Sequence, residues 1–123
     1  MIEAETRAYL EVKPDLMRAS WADKPYIERQ QAELKAVAGG NPYLKGEPLL
    51  RFAEAYLKTA TNKGNSLRIS DYEAHLSGNV AWATYTEEEV DKAGAVVRKN
   101  RNVRVLERDT GGWKIVFQGL QKI

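Results

Sequence analysis

The spacing of hydrophobic positions changes in character near residue 65. Before it, Leu49, Leu50, Phe52, Ala53, Tyr56, Leu57 and Ala60 recur at helical spacing and form one broad apolar stripe. Pro48 suits an early helical position, because the donor it lacks has no partner there anyway. The pattern predicts a helix from Gly46-Glu47-Pro48 to about Thr61, ended by the polar linker Thr61-Asn62-Lys63-Gly64-Asn65. After it, from Ser66 to Leu120, come runs rich in Val, Ile, Tyr, Trp and Thr, which suit a pleated surface. Ser77-Gly78-Asn79, Lys92-Ala93-Gly94-Ala95 and Asp109-Thr110-Gly111-Gly112 break these runs with residues that tolerate tight turns. The stretch is expected to be four long strands in a meander, with the helices covering one face.

Upstream, residues 2–12 read as a helix that Lys13-Pro14-Asp15 interrupts. A short second helix then leads to Trp21. Trp21 and Tyr26 flank the turn Ala22-Asp23-Lys24-Pro25. Ile27 to Val37 has helix-forming composition, and Gly39-Gly40-Asn41-Pro42 is a loop.

The middle hairpin can be registered from side chains. A two-residue Ala93-Gly94 turn sets Glu89 opposite Arg98, Glu88 opposite Lys99 and Trp82 opposite Val105. Each such pair contributes only about 0.2–1 kcal/mol, but their agreement specifies the register. Val80, Trp82, Val103 and Val105 then share a face, which is the expected core face. Trp113, Ile115 and Phe117 join it if the last turn takes an odd number of residues. Ala81, Ala83, Tyr85, Arg104 and Leu106 fall on the opposite face, where a second subunit could dock.

The chain has 123 residues and a net charge of +2, the size of a single domain (1–123). It has no cysteine, so neither disulfides nor thiolate chemistry, and one histidine, so no histidine-rich metal site is expected. No phosphate loop, dinucleotide fingerprint or HExxH motif occurs, and no cofactor is expected. The basic run Arg98, Lys99, Arg101, Arg104 and Arg108 faces Glu87, Glu88, Glu89 and Asp91 on the neighbouring strand. That balance argues against a nucleic-acid partner. No apolar run is long enough to span a membrane, and the acidic start Met1-Ile2-Glu3-Ala4-Glu5 lacks a signal-peptide core. The expected location is cytoplasmic.

The order of elements, with four quoted pieces, resembles the SnoaL-like branch of the NTF2-like superfamily, which includes ketosteroid isomerase-like proteins. The pieces are Trp21-Ala22-Asp23 through Tyr26, Lys45-Gly46, Ser77-Gly78-Asn79-Val80-Ala81-Trp82, and Arg104-Val105-Leu106-Glu107-Arg108 followed by Gly111-Gly112-Trp113-Lys114-Ile115-Val116. The resemblance implies an α+β, cone-shaped fold in which a strongly curved antiparallel sheet packs on N-terminal helices around an apolar pocket. It implies a short strand within Ile27 to Leu34, against local propensity, and a homodimer. It does not imply one activity.

Candidate chemistry centres on His75, whose ordinary pKa lies near neutrality. A two-residue Gly78-Asn79 turn sets His75 opposite Trp82, on the same face as Asp71 and Glu73; a three-residue turn reverses all of them. In the first register His75 and Asp71 are candidate acid–base residues. Trp21, Tyr26, Tyr56 and Trp82 are candidate ligand contacts, although each aromatic also has a simple packing explanation. The leading expectation is a pocket for a small, mostly apolar molecule, in a binding protein or a cofactor-independent isomerase, cyclase or hydrolase. The alternative is a non-catalytic dimeric or protein-interaction module using the outer sheet face.

Overall fold

The computed structural model describes residues 14–36, 39–59 and 63–123. The helix expected over residues 2–12 lies outside them. Helix α1 is Pro14–Ser20, with the proline at its first position. Strand β1 (Glu28–Gln31), a 3-10 turn (Ala32–Ala36) and strand β2 (Tyr43–Lys45) follow. Helix α2, Glu47–Thr59, carries the predicted apolar stripe. Strands β3 (Ser66–Ser77), β4 (Val80–Val90), β5 (Val96–Asp109) and β6 (Gly112–Lys122) complete the chain.

The six strands form one curved sheet in the order β2-β1-β6-β5-β4-β3. The meander and its register are as expected: Glu89 opposes Arg98, Glu88 opposes Lys99 and Trp82 opposes Val105. The turn that produces this register is longer than two residues. A bulge sets Val90 against Val96, and Asp91 Oδ1 accepts the Ala93 and Ala95 amides at 2.9 Å each. The short strand implied at Ile27 to Leu34 is β1, parallel to β6, so helix-forming composition yields to sheet pairing there. It survives as the 3-10 turn that follows.

Met17, Trp21, Ile27, Leu49, Leu50, Ala53, Leu57, Leu106, Ile115 and Val116 form the hydrophobic core between the helices and one end of the sheet. Arg18 ties α1 to α2 through Glu47 at 3.1 Å and through Glu54. Those two carboxylates hold the Arg18 guanidinium pKa above its usual value, Glu47 contributing first.

The assignment of faces is reversed from the sequence expectation. The inner, helix-covered face carries Ala83, Tyr85, Arg104 and Leu106, all buried. Val80 and Trp82 lie on the outer face, each 41% exposed. The last turn takes two residues, since Asp109 pairs with Gly112, and Trp113 and Ile115 therefore align with the inner face. A bulge at Val116 returns Phe117 to the outer face opposite Val105. The error has a physical cause. Apolar count alone favours the Val/Trp face, but the inner face buries Tyr85, Glu87, Asn100, Asn102, Arg104 and Gln118, none more than 4% exposed. Polar groups on a strand can be interior when the domain encloses them.

Candidate functional site

The inner face hollows where its side chains are small. Ala74 pairs with Ala83, and Leu76 with Ala81, so a floor of alanines forms across β3 and β4. Ile69, Tyr72 and Leu76 wall this groove on one side, Leu106 and Trp113 on the other, and Trp82 borders it. Its volume is about 690 Å3. That lies in the usual range for small-molecule sites, roughly 300–1,000 Å3.

Tyr72 reaches the groove because the strand bulges there. Register shifts between Ser70 and Glu73, and Asp71 adopts a φ of 50°, a left-handed conformation that aspartate tolerates better than most residues. Arg101 holds the bulge from two strands away. Its guanidinium donates to the Asp71 carbonyl at 3.0 Å and carboxylate at 3.1 Å, to Thr86 Oγ1 at 3.1 Å and to Thr84 Oγ1 at 3.2 Å. Tyr72 then lies with its ring centroid 6.0 Å from that of buried Tyr85. At the other rim, the Arg108 guanidinium sits 5.4 Å over the Trp113 ring and donates to Asn79 Oδ1 at 3.2 Å. Among the described residues, Tyr72 and Arg108 are the titratable side chains of the lining.

Beyond Ala83 the inner face turns polar. Gln118 Nε2 donates to Asn102 Oδ1 at 3.2 Å between two fully buried side chains. Tyr85 is the cross-strand partner of Asn102, and Arg104 that of Ala83. A second hollow of about 660 Å3 lies beside β1 and β2, bordered by Gln30, Lys35, Tyr43, Thr84, Arg101 and Val103.

The residues singled out from sequence do not converge. His75 does oppose Trp82, as the two-residue turn requires, and stacks on it at 4.3 Å between ring centroids. The pair is on the outer face; His75 Nε2 lies 3.0 Å from Glu73 Oε1 with both side chains exposed. Asp71 is at the bulge, bound to Arg101, and does not share a paired position with His75. Trp21 is buried in the core. Tyr26 is exposed and donates to Glu107; that hydrogen bond, more than burial, raises its pKa. Tyr56 is exposed on α2. Of the named candidates, Trp82 alone borders the groove. Sequence reading missed the alanine floor, whose signal is the alternation Ala81, Ala83 on β4 with Ala74 across from it. Among the described residues no cluster of three or more His, Asp or Glu side chains could hold a metal ion, and no helix is long and apolar enough to cross a membrane.

Fold and groove together define an NTF2-like architecture. The model of the SnoaL-like domain matches residues 8–120, and the chain belongs to that family. No curated protein sequence matches it. Among solved structures, the association domain of C. elegans CaMKII superposes with a TM-score of 0.75 at 16% identity, covering 98% of this chain and 88% of that one. An NTF2-like protein of unknown function from Pseudomonas putida KT2440 gives 0.76 at 16% identity, covering 98% and 80%. An NTF2-like superfamily protein from Salmonella enterica serovar Typhimurium LT2 gives 0.68 at 18% identity, covering 98% and 84%. At these identities the likeness establishes the fold and nothing finer.

Proposed function

We propose that the chain binds a small, mostly apolar molecule in the groove on the inner sheet face. The observation that carries this is the alanine floor between aromatic and aliphatic walls. Burying an apolar ligand there is worth roughly 25 cal/mol per Å2 removed from water, less the cost of immobilising it. What supports binding over proton transfer is that, among the described residues, the lining offers a phenol and a guanidinium but no carboxylate or imidazole. A catalytic role for His75 and Asp71 would instead need a substrate on the outer face beside Trp82.

The test is titration with naphthalene-based probes, read by tryptophan fluorescence, in the native chain and in Ala81→Phe. The native chain should bind with micromolar affinity. The filled floor should weaken binding at least tenfold while unfolding remains cooperative. Equal affinity in both proteins would overturn the reading.

A second reading is self-association through the outer face, where Val80 and Trp82 are half-exposed beside Val103 and Val105. One structural neighbour is itself an association domain. Sedimentation at micromolar concentration should then give a dimer, which Trp82→Glu dissociates. A monomer at all concentrations would exclude it.

A further inference from the structure

The hollow beside β1 and β2 differs in place and in charge from the inner groove. Pairing runs one row of residues across five strands: Thr84 with Val103, Val103 with Gly119, Gly119 with Gln30, and Gln30 with Tyr43. Paired residues share a face, and Thr84 lies two residues beyond outer-face Trp82 on β4, so the row is on the outer face. Gly119 leaves the middle of the row without a side chain, and half-exposed Tyr43 stands at its end. Arg101 and Gln121 pair in the neighbouring row, and Lys35 of the 3-10 turn borders the same hollow.

Among the described residues this lining carries two cations, Lys35 and Arg101, and no carboxylate. The carboxylates just outside it are engaged. Asp71 pairs with Arg101 at 3.1 Å. Glu28 lies 3.9 Å from Lys45 and accepts from Gln30 Nε2 at 2.6 Å. Lys35 has no ion-pair partner among the described residues. Arg101 uses Nη1 for Asp71 and Thr86 and one Nη2 proton for Thr84. A guanidinium has five N–H donors, so Nε and a second Nη2 proton remain for a further acceptor. The Asp71 side chain is 83% exposed, where an ion pair is screened and weak. The hollow thus presents positive charge to whatever enters it. At about 660 Å3 it has the size of a small-molecule site, far more room than an inorganic ion needs. Val103, Pro42 and Tyr43 give it apolar surface.

We infer that this outer hollow is a second binding site, one that takes a small organic carboxylate. Its head meets Lys35 and Arg101, and its apolar body lies against Val103 and Tyr43. NMR titration of the purified chain at low salt, with 2-naphthylacetate, 2-naphthylacetamide and inorganic phosphate, tests this at the Gly119 amide and the Val103 methyls. The acetate should shift these signals saturably. The acetamide, lacking the charge, and phosphate, lacking the apolar body, should each bind there at least tenfold more weakly. Lys35 is exposed, so its substitution leaves the fold standing. Lys35→Gln should weaken the acetate about tenfold, and Lys35→Arg should retain most of the affinity. Ala81→Phe, which fills the inner groove, should leave the acetate response at Gly119 unchanged, so the two sites stand or fall separately. Acetamide binding there as tightly as acetate overturns the carboxylate assignment, and so does unchanged acetate affinity in Lys35→Gln. Phosphate binding as tightly as acetate overturns the organic one. No shift at Gly119 or Val103 with any probe overturns the site, whatever the Ala81 methyl on the inner face does.

Discussion

The two faces of one sheet invert the usual expectation. The inner face buries an arginine, a glutamate and three amides, while the outer face leaves a tryptophan and a valine half in water. The inner face divides again along β5: Leu106 joins the hydrophobic core, and Arg104, Asn102 and Asn100 continue as a buried polar row. The difference teaches that a strand's more apolar side need not be its interior. Polar groups can be buried along one part of a strand face while a neighbouring hydrophobic core on the same face supplies the stability.

The comparison is sharpened most strongly by truncation. Ile115→Ala, at the core end of the inner face, should cost about 2–5 kcal/mol in urea denaturation. Val80→Ala on the outer face should change stability by about 0.5 kcal/mol or less. Similar losses at both positions would mean that the outer face is packed as a core. Next comes the bulge. Asp71→Val forces a β-branched residue to a φ of 50° and removes the Arg101 contact, so it should cost roughly 1–3 kcal/mol by the same measurement. Asp71→Gly relieves the backbone and should recover most of that loss. Gly119→Ala tests how closely the outer face is packed around β6. An added Cβ would lie 3.0 Å from Val103 Cγ1 and 3.4 Å from Phe117 Cε1, predicting a loss of about 1 kcal/mol.

The smallest effect concerns Glu88, whose pKa is lowered first by its hydrogen bond to Arg68. A carboxylate with a depressed folded-state pKa stabilises above its unfolded pKa, and the contribution fades as pH falls through the folded value. NMR titration of Arg68→Ala should show the Glu88 pKa rising toward the ordinary glutamate value. An unchanged titration would mean that the exposed pair does not persist in solution.

Much of the architecture was legible in the sequence. Glycine-marked turns and the Glu88–Lys99 and Glu89–Arg98 pairs specify how β3, β4 and β5 align. The stripe from Leu49 to Leu57 specifies which side of α2 is buried. What was illegible depended on single inserted residues. The bulge between Ser70 and Glu73 interrupts the alternation and brings Tyr72 to the groove, and the bulge at Val116 separates Ile115 from Phe117. Strand β2 is three residues long and owes its existence to pairing with β1, not to its own pattern. The candidate site was hidden for a related reason. Alanines read as unremarkable filler until the fold sets three of them side by side.

The most direct test is an NMR titration with 2-naphthylacetamide that follows methyl groups on both faces. The account predicts saturable shifts at the Ala74, Ala81 and Ala83 methyls, with Val80 and Val103 unmoved. Shifts confined to Val80 and Val103 would place the binding surface on the outer face and contradict the account.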